Sequence, residues 1–364
     1  MRKFIKKKLS IIIPTYNEVD NIKNIINELI IQLQHIDFEI IIVDDGSTDN
    51  TVESIFSNFK NNNNIKVIQR EFDRGLLQSI KFALQSITGE KFVIMDGDGQ
   101  HSPKDIKPLI QELDKSDLVI GSRDLKNLDS MTGTRIFLSK IFNMLVSIVL
   151  STRISDPLTG FFAGRVNLLN KKFFLLSNSG FKVLLDLIFS NRSNKISITE
   201  KIIDFHYRKA GSSKLGPQVM FSFMTQIFSY IFNGLISSKL IGFLLIGGFG
   251  FLIHFGILIL CINSFEISFI LSHTIATLTT ATINFLLNNY LNFYNSQINT
   301  FSDILKSLFK YYLINIPGIL SSIGGASFAY NVLLKNPFIS SIIGVFLDTI
   351  FKYFIFKSWI WKSR

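Results

Sequence analysis

Four long apolar segments, at about 240–262, 267–287, 311–334 and 338–356, crowd the last third of this 364-residue chain. Each approaches or exceeds the roughly 20 residues that cross a hydrocarbon core, so the fold must provide for a bilayer. From Lys239 onward there are eight Lys or Arg and three acids, whereas the first 238 residues carry 30 basic and 24 acidic residues. That front part is an ordinary soluble mixture, and the chain reads as a charged domain joined to an apolar one. The expected division is an α/β domain at 1–216, an interfacial helix at 217–236, and an all-α transmembrane domain of four helices at 237–364. The segment 217–235 is rich in Phe and uncharged, but Ser, Gln and Asn interrupt it, which suits a helix lying in the interface.

Short connectors make hairpins of the first two and the last two spans. Lys239, Lys306, Lys310, Lys357, Lys362 and Arg364 then fall on one side and only Lys335 on the other. The positive-inside rule puts both termini and the front domain in the cytoplasm. Asp348 and Lys352 stand one turn apart in the last span, either as a functional intramembrane pair or, the favoured reading, as an i,i+4 neutralising pair. Near the start, the apolar run 9–13 ends at Pro14, too short for a signal peptide, and no small-residue cleavage site follows. The lysines from Lys3 to Lys8 read as a basic arm for anionic headgroups or as a solvated charge run. The single Cys261 excludes a disulfide framework or a cysteine metal site and reads as a small buried hydrophobe.

In the front part, short β-rich apolar runs (9–14, 39–43, 65–69, 91–95, 118–120) alternate with helical patterns (21–33, 51–59, 76–86, 105–113). This alternation predicts a mainly parallel sheet. Polar clusters follow three of those strands, at 15–18, 44–49 and 96–100. Ligands of open α/β sheets bind outside the carboxyl ends of the strands, so the three clusters point to one site. In the third, Asp96-Gly97-Asp98-Gly99-Gln100, two carboxylates one small residue apart can hold a hard cation that keeps positions open for diphosphate oxygens. An acidic turn alone would say little; its place after a buried strand gives it weight. In the second, Asp44-Asp45-Gly46-Ser47-Thr48-Asp49, a carboxylate can accept from a ribose hydroxyl or a base N–H. Asp45, Ser47 and Asn17 would equally serve as caps and turn residues.

Pro-Thr-Tyr-Asn-Glu, Asp-Asp-Gly-Ser-Thr-Asp-Asn-Thr, Asp-Gly-Asp-Gly-Gln-His, Gly-Ser-Arg-Asp, Ser-Asp-Pro-Leu-Thr-Gly-Phe-Phe and Gly-Phe-Lys-Val-Leu-Leu-Asp-Leu follow in this order. Over about 10–215 this set resembles glycosyltransferase family 2, and within it the polyprenyl-phosphate mannose synthases of the dolichol-phosphate mannose synthase type. The tail, with Asn284-Phe285-Leu286-Leu287-Asn288, is similar to the GtrA-like membrane domain. The resemblance implies a GT-A, Rossmann-like nucleotide-diphospho-sugar fold, Mg²⁺ or Mn²⁺, and inversion at the anomeric carbon. It implies nucleotide-sugar contacts at Pro14, Tyr16, Glu18, Val43, Asp44, Asp45, Gly97 and Lys182, and metal and diphosphate contacts at Asp96, Asp98 and Gln100. Arg123 and Arg135 would grip phosphates, completing a catalytic set with Asp96 and Asp98. Arg208 and Lys214 match the family's basic loop, and Arg suits bidentate phosphate recognition. Asp156 is expected to orient the sugar hydroxyls.

Many relatives carry Asp-Ala-Asp-Leu-Gln here, so the two glycines are expected to loosen the turn and affect metal affinity. A phosphate acceptor has its second pKa near about 6 and needs no strong base; His101 and His206 are therefore read as site-edge or structural residues. The expected reaction moves mannose from GDP-mannose to a polyprenyl or dolichyl phosphate at the bilayer, with no nucleic-acid partner. UDP-glucose is the alternative donor, and flipping of the lipid-linked sugar an alternative role for the membrane half. A processive polysaccharide synthase would need Gln-x-x-Arg-Trp, and both tryptophans, Trp359 and Trp361, lie at the basic C-terminal end.

Overall fold

The apolar runs β1 (Leu9–Thr15) and β2 (Phe38–Asp44) are buried at every position, as strands covered on both faces must be. They belong to a computed structural model that describes residues 8–71, 74–123, 144–176, 182–204 and 216–346. β1 pairs in parallel with β2 and with β4 (Lys91–Ile94), and β2 with β3 (Ile65–Gln69). Beyond β4 the sheet changes sense. β6 (Phe162–Arg165) runs antiparallel between β4 and β5 (Leu118–Ser122), and β7 (Ile198–Ile202) pairs in parallel with β5. The seven-stranded order is β3-β2-β1-β4-β6-β5-β7. The mixed sheet with flanking helices is the expected GT-A-like α/β fold. The sequence reading lacked β6 and β7 because neither is a long apolar run.

Helices α1 (Val19–Leu33), α2 (Thr51–Phe59), α3 (Leu76–Leu84) and α4 (Ile106–Glu112) follow β1 to β4. α1 turns Ile22, Ile25, Ile26, Leu29 and Leu33 inward, the i, i+3, i+4, i+7 spacing of an amphipathic helix. These side chains join Ile11, Ile13, Ile40, Ile42 and Val93 in one core.

One buried charge pins the sheet at the edge opposite the polar clusters. Glu39 is 2% exposed and accepts from Ser10 Oγ (2.7 Å), the Thr88 N–H (2.6 Å), Thr88 Oγ1 (2.8 Å) and Lys66 Nζ (2.6 Å). Burial alone would raise its pKa, but the hydrogen bonds from Lys66, Ser10 and Thr88 outweigh burial and hold it below the usual carboxylate value. A carboxylate lowered in this way stabilises the fold fully above its ordinary pKa of about 4.3, and that stability drains away as pH falls through the folded value. Glu39→Gln should cost about 1–3 kcal/mol near neutral pH. It should also flatten the fall of thermal stability between about pH 5 and pH 3, read from melting curves across that range.

The chain forms two compact units, and the division falls inside α6 (Pro217–Ile231). Residues Gln226–Ser237 group with the sheet domain, and 216–225 with the residues from Ser238 onward. Among the described residues of the second unit, three helices are long and apolar enough to cross a membrane: Ser238–Asn263, Phe269–Asn292 and Phe301–Leu333. We label their α-helical parts α7 (Ser238–Asn263), α8 (Phe269–Leu287) and α9 (Phe301–Phe328). The last begins ten residues before the expected span, because Thr300 caps it by accepting from the Asp303 N–H. Pro337–Phe346 is a shorter apolar helix; the remainder of the expected fourth span, with Asp348 and Lys352, lies outside the described residues.

Small and polar residues join the helices of this unit, as they must where lipid offers no hydrophobic drive. Gly250 of α7 lies against the Asn284 side chain of α8, where a methyl group would collide. Asn292 Nδ2 donates to the Lys239 carbonyl at 2.9 Å. His254 and His273, both buried, share the hydroxyl of Ser341 at 2.8 and 3.0 Å, a polar contact that ties their helices to the shorter one.

Candidate active site

The turns after β1 and β2 are fastened to each other before any ligand enters. Asn17, at φ 56°, donates its N–H to Ser47 Oγ (2.9 Å), and its Oδ1 accepts from the Thr48 N–H (2.9 Å). The Glu18 N–H donates to Thr51 Oγ1 at 3.0 Å, and the Val19 N–H to Asp49 at 3.1 Å. Hydrogen bonds from Thr51 and the Val19 N–H overcome the raising effect of burial and keep Asp49 below the usual carboxylate range. Pro14 and Val43 are register partners with buried side chains, so they offer a ligand only backbone. Tyr16 stands half exposed beside them, a flat face suited to stacking.

The two aspartates after β2 are both engaged within the protein. Asp44 accepts from the Gly46 N–H (3.0 Å), the Ser47 N–H (2.8 Å), Ser47 Oγ (2.5 Å) and Thr15 Oγ1 (3.2 Å). It therefore holds its own turn. Asp45 accepts from Arg70 (3.2 Å), Ser79 Oγ (2.9 Å) and the Gly75 N–H (2.5 Å). Arg74 lies over Gly46, where a methyl group would strike its guanidinium. Arg70, Arg74 and Ser79 escaped the sequence reading, because only the folded chain brings the start of α3 to the end of β2.

After β4, the turn 96–100 rests on the end of β1. A methyl group at Gly97 would meet Thr15 Cγ2 at 3.1 Å and the Pro14 carbonyl at 3.2 Å, and Gly99 has φ +75°. Gly97 therefore sits in close packing, and Gly99 takes a left-handed conformation that favours glycine. The Gln100 N–H donates to Asp98 Oδ1 at 3.1 Å, and the Asp96 N–H to His101 Nδ1 at 3.4 Å. Burial lowers the His101 pKa, with Asp96 and Asp98 opposing. A neutral ring with Nδ1 as acceptor follows, stacked on Phe161 at 5.1 Å. Asp96 keeps 31% of its side-chain surface exposed, while Asp98 is buried.

Cations face this acidic turn. At the end of β5, Arg123 clasps Asp156 bidentately, Nε to Oδ2 at 2.6 Å and Nη2 to Oδ1 at 2.8 Å. That bond raises the guanidinium pKa, burial opposing it. Both oxygens of the buried Asp156 meet the guanidinium. Lys182 lies within electrostatic reach of Asp96, Asp156, Arg123 and Asp98; burial pushes its ammonium below the usual lysine range, and Asp96 and Asp156 work the other way. Arg135, His206, Arg208 and Lys214 lie outside the described residues.

Gly160 is a further site residue that sequence reasoning passed over. Its Cα lies against the Asp96 carboxylate so closely that a methyl group would collide with it. Thr159 Oγ1 fastens this loop to the Gly121 carbonyl at 2.8 Å. Gly160→Ala should therefore displace Asp96 and lower turnover by about tenfold or more, with a melting temperature within a few degrees of wild type. Normal turnover in the alanine variant would show that the contact is immaterial.

Among the described residues, no three His, Cys, Asp or Glu side chains gather into a complete metal cage. Two carboxylates and an amide, all oxygen donors, are nonetheless the set that Mg²⁺ or Mn²⁺ takes when substrate phosphates supply the remaining ligands.

Comparison with known proteins places the chain in a family. The description "Glycosyl transferase family 2" matches residues 10–173, and "GtrA/DPMS, transmembrane domain" matches 242–361. A dolichol-phosphate mannosyltransferase of Pyrococcus furiosus is 30% identical over 98% of this chain and 100% of its own length. That of Mycosarcoma maydis is 27% identical over 60% of this chain and 77% of its own. A glucosyl-3-phosphoglycerate synthase from Mycobacterium tuberculosis, solved with Mg²⁺ and uridine-diphosphate, aligns at 17% identity and TM-score 0.48, covering 62% of this chain and 79% of that one. The protein is a membrane-associated glycosyltransferase. It belongs to glycosyl transferase family 2, in the polyprenyl-phosphate mannose synthase group that carries a GtrA/DPMS transmembrane domain.

Proposed function

We propose that the chain transfers mannose from GDP-mannose to the phosphate of a polyprenyl or dolichyl phosphate, inverting the anomeric carbon. The observation that carries this reading is that Lys182 lies within electrostatic reach of both the acidic turn Asp96–Asp98 and the Arg123–Asp156 pair, in a chain that continues into apolar spans. The relatives named dolichol-phosphate mannosyltransferase support the choice of sugar and acceptor.

A hard divalent cation, when bound by Asp96, Asp98 and Gln100, supplies positive charge to the leaving diphosphate. Tyr16, Glu18 and the backbone at Pro14 and Val43 receive the nucleoside, and Asp44 and Asp45 keep its walls in shape. An acceptor phosphate oxygen bonds to the anomeric carbon as the bond from that carbon to the diphosphate oxygen breaks, and the electron pair departs with GDP. No protein base takes part, since the acceptor is largely a dianion above about pH 6. Arg123, held in line by Asp156, compensates phosphate charge, as do Arg135, Arg208 and Lys214. The catalytic unit faces the cytoplasm, supported by Lys239, Lys306 and Lys310 flanking one end of the spans and Lys335 the other.

The test supplies membranes containing the protein with radiolabelled GDP-mannose, UDP-glucose and other nucleotide-sugars, plus polyprenyl phosphate and Mg²⁺ or Mn²⁺. Label from GDP-mannose should enter the lipid phase. Label from UDP-glucose alone would replace the donor, and no incorporation from any donor would overturn the reading.

A further inference from the structure

The part of α6 that belongs to the catalytic unit begins with one buried amide. Gln226, 2% exposed, accepts the Lys182 N–H on Oε1 at 3.1 Å and donates Nε2 to the Lys182 carbonyl at 3.0 Å. A side-chain amide thus grips both backbone groups of a single residue, as a neighbouring strand would. Lys182 stands immediately before α5 (Val183–Asn191), so this grip sets where that helix starts. The same Nε2 lies 3.0 Å from Asp186 Oδ1 and 2.8 Å from the Tyr230 hydroxyl. Asp186 in turn accepts from Tyr230 at 2.5 Å and pairs with Lys81 at 2.7 Å. Gln226 is consequently fixed from behind by a buried network, and its hold on Lys182 has little play.

We propose that Gln226 is a positioning residue: by clamping the Lys182 backbone it sets the Lys182 ammonium where the donor's diphosphate meets Asp96 and Arg123. This inference rests on the reading of the site as a nucleotide-sugar site. Its ligand chemistry is the leaving nucleoside diphosphate, whose charge one ammonium meets by a charge-assisted contact. The clamp belongs to the stretch on which the chain leaves the catalytic unit for the membrane, a position where catalytic groups are not normally sought.

Gln226→Met keeps the shape of the side chain and removes the clamp. In the full-length protein in detergent, with Mg²⁺, GDP and UDP are titrated by calorimetry alongside Lys182→Met, Tyr230→Phe and the double variant Gln226→Met/Lys182→Met. Gln226→Met and Lys182→Met should each weaken binding of the preferred nucleotide by about 10- to 100-fold, the worth of a charged hydrogen bond. The double variant should be no weaker than Lys182→Met alone, because one substitution acts through the other. Tyr230→Phe, which loosens the network but leaves the clamp, should lower the melting temperature and keep nucleotide affinity. Gln226→Asn withdraws the amide by one methylene and replaces the Met variant if that does not fold. Unchanged affinity in a destabilised Gln226 variant, or additive losses in the double variant, overturns the inference alone. Wild-type protein that binds neither nucleotide overturns the reading of the site, and the inference with it.

Discussion

Asp98→Asn is expected to lower kcat/KM by about a thousandfold and leave the fold intact. The asparagine oxygen can still accept from the Gln100 N–H, so the turn after β4 keeps the hydrogen bond that shapes it. What disappears is a buried negative charge beside Asp96, the charge that the proposed divalent cation would meet. A metal's compensation of a leaving diphosphate is worth several kcal/mol, and about 1.4 kcal/mol is a factor of ten in rate. Turnover of the preferred donor, measured over a range of Mg²⁺ and Mn²⁺ concentrations, gives the check, with a melting curve beside it. Chelation with EDTA should abolish wild-type turnover, and added Mn²⁺ should restore it. A variant retaining a tenth or more of wild-type kcat/KM would remove Asp98 from the catalytic account.

The largest loss of stability is expected at Lys81. This lysine of α3 and Asp186 of α5 form an ion pair at 2.7 Å with side chains only 5% and 3% exposed. Lys81 also lies over the Phe173 ring at 5.1 Å. Cutting one member from a buried pair strands the other charge, and such lesions cost about 3–5 kcal/mol. Lys81→Met should therefore lower the melting temperature by about 10 °C in a domain of this size. Lys81→Met/Asp186→Leu should recover only part, because Asp186 also accepts from Tyr230 and Gln226. A single variant melting within about 2 °C of wild type would mean that water reaches Asp186 once Lys81 is gone.

How much of this was legible in the sequence depends on the range of the interaction. β1, β2, β4 and β5 announced themselves because both faces of a central strand are covered, leaving an apolar run bounded by polar turns, while the edge strand β3, Ile-Lys-Val-Ile-Gln, showed through its β-branched residues. β6 is only four residues, Phe-Ala-Gly-Arg, and β7 is a half-exposed edge strand, Ile-Thr-Glu-Lys-Ile. Neither pattern rises above a loop until partners are known. The first turns of α9 were lost to their charges, Asp303, Lys306 and Lys310, although the Thr300 cap stood in plain view. At the site, the strand-end clusters could be collected because the topology of an open sheet gathers them. That Asp45 holds Arg70 and Ser79, that Gly160 abuts Asp96, and that Gln226 clamps Lys182 are facts of tertiary packing. A single sequence encodes such contacts without displaying them.

The division of the chain inside α6 also bears on how the enzyme can be cut. A soluble fragment that stops at residue 216, where the charge pattern invites a scissile boundary, discards Gln226 and Tyr230. It would open the Lys81–Asp186 pair to water and strip the ring that stacks on Phe189 at 4.2 Å. Extending the fragment to Ser237 retains the end of α6 and the turn in which Ser229 Oγ donates to the Ile236 carbonyl. For recombinant work the working catalytic module therefore ends about twenty residues past the point where hydropathy alone would place the knife.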